Sequence, residues 1–362
     1  MQQNDVKAAN KKLKAKGDNK ALLTIISILI GFAIGAIMLV IVKVSPVEAY
    51  KLLLDSVFGS SKNIAQSIVY ATPLILTGLS VAFSFRTGIF NIGAEGQYVM
   101  GSLGAMVVGV SVKAPAIIHI PLCLLAAALA GAFWGAIVGF LKAKIGANEV
   151  LCMIMFNWIA YYFSNFVVKS KLFNDNGRQA SKKVEETARL SIDSLKADLG
   201  QKINWGIIIA IIAVIVIYII INKTTLGYRL RAVGFNRNAA EYAGINVNAA
   251  IISAIAISGA LAGLAGATQT LGYNFNISEF AGQEGYGFEG ITVALIGATH
   301  PIGVLFAGLF YGAMKFGGKN LNLLGAPTEV IDIIMGSIIF FIAISMILKV
   351  FGNKLKGKGG AK

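Results

Sequence analysis

Charge is what this chain has least of. Asp, Glu, Lys and Arg make up 14% of its 362 residues, little more than half the share carried by a soluble domain. Acids are the scarcer sign, 17 against 32 basic residues, for a formal net charge of +15. Cysteine is nearly missing too. Cys123 and Cys152 both fall in apolar runs, which argues against a disulfide scaffold or a zinc site. His119 and His300 are the two histidines, far apart and without clustered cysteine or carboxylate. No metal site or cofactor is expected, and the His-Glu-x-x-His pattern of a metalloenzyme does not occur.

Hydrocarbon stands where charge is missing: 56% of residues are hydrophobic and the mean hydropathy is +0.72. Several apolar runs reach the roughly 20 residues that cross about 30 Å of bilayer core. The expected fold is therefore all-α and polytopic. Ten crossings are predicted near 21–42, 67–85, 97–112, 116–141, 149–168, 204–222, 249–271, 288–299, 301–317 and 329–349. The eighth and ninth are short and split at His300-Pro301. Lysines crowd both the tail 1–20 and the tail 351–362, which places both in the cytoplasm by the positive-inside rule. Two cytoplasmic tails need an even number of crossings, so the split reading is preferred. The same placement of the lysines argues against nucleic acid as a partner. The run at 21–42 is too long for a signal peptide and lacks a small-residue cleavage site, so it reads as a retained first helix of the membrane domain 21–350.

In this topology the loop 169–203 is external, with the mixed charge of a solvated segment and room for one surface helix. Segment 44–66 is also external, and Val47, Tyr50, Leu54 and Val57 are spaced like one face of an amphipathic helix. Such a helix would lie on membrane lipids or offer a docking surface.

Four segments could carry function. Phe90–Gln97 places Asn91, Glu95 and Gln97 among glycines between two apolar stretches. A carboxylate there must pair, protonate or meet water, so Glu95 reads either as a pathway-lining or helix-organising group or as part of a short cytoplasmic turn. Asn148 and Glu149 would cap the fifth span, and Asn157, two turns deeper, either bonds another helix or contacts substrate. The segment Tyr273–Gly290 sets Glu284, Phe288 and Glu289 beside Tyr286, a combination that suits a sugar or base as well as an interfacial aromatic belt. It also faintly echoes the first segment. Placed toward opposite sides of the membrane, the two would mark an inverted repeat of spans 2–5 and 7–10.

The fourth segment, within the cytoplasmic loop 223–248, carries Arg229, Arg231 and Arg237. It reads as two short helices broken at Gly234, the second over Asn238–Ala243 with Tyr242 protruding. Ala239 and Ala240 would allow close docking into a groove on another protein. A basic loop beside anionic lipid is the alternative.

Together these segments resemble the permease subunit of bacterial ABC importers, in the nucleoside and simple-sugar branch that works with a lipoprotein of the basic membrane protein type. The resemblance rests on Phe85-Arg-Thr-Gly-Ile-Phe-Asn-Ile-Gly-Ala-Glu-Gly-Gln97, on Ala147-Asn-Glu-Val150 with Asn157, and on Gly227-Tyr-Arg-Leu-Arg-Ala-Val-Gly234 with Asn236, Ala239-Ala240 and Gly244-Ile245. Gly287-Phe-Glu-Gly290 running into Pro301-Ile-Gly303 completes it. Ribose-type relatives typically differ at Thr87–Gly93, which favours nucleosides. The resemblance implies a type II importer half of ten helices in a bacterial plasma membrane. It implies a second permease, identical or homologous, as pore partner, and an external substrate-binding lipoprotein. It also implies a cytoplasmic ATP-binding subunit seated on the coupling helix Asn236–Ile245. No Walker A pattern occurs in the chain, so ATP hydrolysis is expected in that partner and not here. The same machine could carry a simple sugar or a branched-chain amino acid. A stand-alone secondary carrier would need coupling acids in mid-span, whereas Glu95, Glu149, Glu289 and Asp332 fall near predicted span ends.

Overall fold

A computed structural model describes residues 24–199, 202–327 and 329–358. Basic tail 1–20 lies outside the described residues, as do 359–362. Fourteen α-helices follow one another among the described residues: α1 (Thr24–Ile41), α2 (Pro46–Phe58), α3 (Ser61–Phe85), α4 (Ala94–Ser111), α5 (Ala116–Phe140), α6 (Glu149–Lys169), α7 (Lys196–Leu199), α8 (Gly206–Lys223), α9 (Thr225–Phe235), α10 (Arg237–Tyr242), α11 (Val247–Gln269), α12 (Tyr286–Ile296), α13 (Pro301–Gly318) and α14 (Glu329–Lys358). Among the described residues, six stretches are long and apolar enough to cross a bilayer: α1, α3, α5 with its π turn to Ile145, α6, α8, and α11 with its π turn to Asn274. The protein is an all-helical, multi-pass membrane protein.

Short polar residues start five of the helices. Ser60, Asn148, Thr224, Asn236 and Asn246 each accept a hydrogen bond from a backbone N–H of the first turn, which satisfies donors that the helix itself cannot. Glu149 adds an ion pair to Lys142 at 2.6 Å.

Contacts divide the chain into two compact units, Met1–Leu54 with Gly317–Lys362, and Asp55–Phe316. In the first, α1 and α14 pack through small residues: a Cβ on Gly31 would lie 2.3 Å from Ile338, and one on Gly35 2.3 Å from Ile334. Tyr50 donates to the Phe32 carbonyl and meets the Phe32 ring edge-on.

In the second unit α3 is the axis. Within its apolar window 83% of residues are buried, against 22% for α5 and α6, whose outer faces are left for lipid. Helices α4, α5 and α11 meet at a glycine seam: a Cβ on Gly101 would sit 2.1 Å from the Gly263 Cα, and one on Gly131 2.2 Å from the Gly259 carbonyl. Between membrane helices there is little hydrophobic driving force, so this close approach carries the packing.

The structure corrects several expectations. The segment 44–66 is not one surface helix: α2 ends at Phe58 and α3 starts already at Ser61. Its four predicted-face residues divide, because Val47 (78%) and Leu54 are exposed while Val57 is buried and Tyr50 half-buried. Loop 169–203 is not merely solvated. Val184, Ala188 and Leu190 are buried against Ala105, Cys123, Ala127 and Leu271, and Ser181 and Val184 donate backbone hydrogen bonds to Ile277 and Phe275. Helix α14 continues to Lys358, into the expected tail 351–362.

Helix α12 corrects the eighth crossing. Its 11 residues rise about 16 Å at 1.5 Å per residue, half of a bilayer core. The preceding residues 275–285 are not helical. This passage is therefore a non-helical segment followed by a half-helix, and a second non-helical segment occurs earlier, where the turns and irregular residues of 86–93 lead into the 18-residue α4.

Candidate functional site: a clasp between two interrupted passages

The two polar segments that were expected toward opposite sides of the membrane touch each other. Segment 86–93 starts at one end of the helical unit, where the Arg86 guanidinium donates to the Thr299 carbonyl at 2.8 Å. Segment 275–285 starts at the other end, paired with Ser181 and held by Asn165 and Tyr161 at Phe280. They run inward and meet at Glu95. The Glu95 carboxylate accepts from the Gly285 amide at 2.8 Å and from the Gly287 amide at 2.6 Å. Both oxygens are engaged and the residue is 1% exposed. The physical reason is the half-helix itself: the first N–H groups of α12 lack partners and carry partial positive charge, inside a protein where water cannot serve them. A carboxylate supplied by the other segment satisfies them.

Further polar groups gather around this clasp. Asn91, fully buried, donates to Ser258 Oγ at 2.7 Å and to Gln97 Oε1 at 2.8 Å, and Ser258 is bonded to Ser80. Asn157 braces the first segment from α6: its Oδ1 accepts from the Gly96 amide at 2.8 Å and its Nδ2 donates to the Ile92 carbonyl at 3.1 Å. Tyr98 donates to Glu284 at 3.0 Å and stacks on Tyr286, centroids 5.1 Å apart. Lys315 of α13 pairs with Glu289 and lies over the Tyr286 ring. Phe288 points to the surface. The structure thus brings Asn91, Glu95, Gln97, Asn157, Glu284 and Glu289 into one region. Glu95 and Glu289 lie near the middle of the helical unit and not at span ends, because α4 and α12 begin in its interior.

Beside the clasp is a polar cavity that sequence reasoning did not find. Tyr98, Ser102, Thr270 and Ile277 are buried at its back, while Asn274, Ser278 and Glu284 are exposed at its mouth; Gln269, Asn276 and Phe280 complete the lining. Lys315 was also missed, although a lysine inside a predicted span requires a partner.

At the end marked by Arg86, α9 and α10 form a bent pair. The break falls at Asn236, whose Oδ1 accepts from the Ala239 amide at 3.1 Å, and not at Gly234. Gly234 lies inside α9, where a Cβ would come 2.2 Å from the Arg86 carbonyl. The second helix spans Arg237–Tyr242, in place of Asn238–Ala243. Ala240 is 4% exposed and so does not offer itself for docking, as its side chain turns inward. Ala239, Arg229 and Gly244 are exposed, and Arg231 is half-buried with its Nε donating to the Gly227 carbonyl. Tyr242 projects at 94% exposure as expected, joined by Phe235 at 92%.

The family model described as "Branched-chain amino acid transport system / permease component" matches residues 63–343, which include every residue of the clasp. The chain belongs to this permease family. The permease is 41% identical to the guanosine ABC transporter permease protein NupP of Bacillus subtilis, over 93% of its own length and 97% of that protein. It is 36% identical to the nucleoside ABC transporter permease protein NupB of Lactococcus lactis, over 93% and 94%. With the glucose ABC transporter permease protein TsgB13 of Haloferax volcanii it shares 32% identity over 90% and 87%. No solved structure matches the permease. It is a permease subunit of an ABC transporter, a transport component like these relatives.

Proposed function

We propose that this permease forms half of the pore of an ATP-driven importer for nucleosides. Full-length similarity to the guanosine permease carries the reading, at 41% identity over 93% of the chain. The clasp agrees with it, since a polar, glycine-rich break in a membrane protein is tolerated where it borders a pathway. In this reading both tails and the α9–α10 pair face the cytoplasm and the loop 169–203 faces outward. A second permease completes the pore and an external lipoprotein delivers the nucleoside. Cytoplasmic ATP-binding subunits hold α10 in a groove, and their closure rocks the helices between inward-open and outward-open states.

The test is uptake of labelled guanosine by cells in which this importer is the sole nucleoside route, with excess ribose or leucine as competitors. Uptake should persist against both competitors. Uptake of labelled ribose, glucose or leucine in its place would reassign the cargo.

A further inference from the structure

A single stretch of chain, 86–95, holds both ends of the half-helix α12. We infer that Arg86 is a positioning residue of the transport cycle: it ties the turn between α12 and α13 to the α9–α10 pair, so that a displacement of that pair reaches α12 and the clasp. This rests on the proposed import, with ATP-binding subunits seated on α10.

The two poles of α12 are the first ground. At its start the Glu95 carboxylate accepts from the Gly285 and Gly287 amides. At its end the chain turns through Gly297, Ala298 and Thr299, and the Thr299 amide donates back to the Ala294 carbonyl at 2.8 Å. The Arg86 guanidinium donates to the Thr299 carbonyl, also at 2.8 Å. An anion at the first pole and a cation at the second are the charges that the helix dipole favours. Both are supplied by 86–95, so α12 must move with this stretch or lose a polar contact at one of its ends.

Backbone conformation is the second ground. Ala298 and Thr299 take φ of 51° and 56°, left-handed values that are unfavourable above all for a branched residue such as threonine. Such a turn persists where its surroundings hold it, and the Arg86 hydrogen bond reaches it from another part of the chain. Arg86 is half-buried, and its Nε is buried without an acceptor among the described residues, so the Thr299 carbonyl fixes where the guanidinium sits. On the backbone side of Arg86, α9 lies against the chain directly. A Cβ on Gly234 would come 2.2 Å from the Arg86 carbonyl oxygen and 3.1 Å from the Gly88 nitrogen. The two backbones touch there with no side chain between them, so a shift of α9 displaces Arg86.

The test uses the complete importer in proteoliposomes, with ATP hydrolysis and labelled guanosine uptake read in the same vesicles. Arg86→Met keeps the length of the side chain and removes its charge and donors. ATP-binding subunit should co-purify as before and hydrolysis should persist, while uptake falls; a hydrogen bond from a charged group is worth about tenfold or more, so the ATP spent per guanosine imported should rise by about that factor. Arg86→Lys, which keeps the charge and a donor, should restore most of the uptake. A merely structural role would lower uptake and hydrolysis together through the amount assembled, and an unchanged ratio would overturn the inference. If Arg86→Met fails to assemble, Gly234→Ala strains the same contact from the α9 side with Arg86 in place, and a ratio equal to that of the unaltered importer counts against the inference. Import of ribose or leucine but not guanosine by the unaltered importer would overturn the nucleoside reading alone, since the ratio is then read with that cargo.

Discussion

Gly287 stands against Glu95 so closely that a Cβ on the glycine would lie 2.1 Å from the Glu95 amide nitrogen. The contact joins the starts of α4 and α12, and only hydrogen on the Gly287 α-carbon lets the carboxylate reach the Gly285 and Gly287 amides. Family and fold agree on a transport subunit, and within it the clasp holds the start of the 18-residue α4 against the start of the half-helix α12.

Gly287→Ala should therefore loosen the clasp. Overpacking against backbone costs about 1–3 kcal/mol, visible as a lower melting temperature of the detergent-purified chain and as reduced uptake. An unchanged melting temperature would mean that the two segments are not in contact.

Glu95→Gln and Glu95→Leu separate hydrogen bonding from charge. Glutamine keeps an acceptor for one amide, while leucine strands both, at about 1–3 kcal/mol for each buried unpaired group. Leucine should be clearly the more damaging in thermal melts. Equal losses would show that charge, and not capping, is what Glu95 supplies.

Asn157→Leu removes an acceptor from the Gly96 amide and a donor from the Ile92 carbonyl. We expect destabilisation of about 2–6 kcal/mol for the two groups together. Asn157→Asp keeps the acceptor, and its effect should be smaller unless the added negative charge near Glu95 outweighs it. Denaturant or thermal unfolding of both variants ranks them.

Phe235→Ser and Tyr242→Ser test the α9–α10 pair. Both rings are almost fully exposed, so their loss should leave the melting temperature within a degree or two, whereas a partner groove would lose two aromatic anchors, commonly worth about 2 kcal/mol or more each at an interface. Co-purification of the ATP-binding subunit should fall sharply. Retained co-purification with the double variant would move the contact elsewhere.

Gly263→Leu attacks the seam. A Cβ there would already lie 2.3 Å from the Ala127 carbonyl, so α5 and α11 must separate. The full-length chain should fail to accumulate in membranes, whereas Gly282→Leu, with open space around it, should accumulate normally.

Much of this molecule was readable from residue types. Apolar length set the long helices, and Asn148 marked where α6 begins, because a short polar side chain reaches the first-turn amides by local geometry alone. The importance of Phe90–Gln97 was legible for a similar reason: a carboxylate amid hydrocarbon needs a partner, whatever the fold. Which partner was not legible. Glu95 and Gly287 are separated by 192 residues, and hydropathy treats a half-helix entered by a non-helical segment as a weak span. Tertiary structure alone decided that the two segments meet in the interior, that Ala240 turns inward while Phe235 turns out, and that Gln269, Asn274 and Asn276 line one hollow. Each of these depends on which face a neighbouring helix covers, and the chain specifies that only through packing.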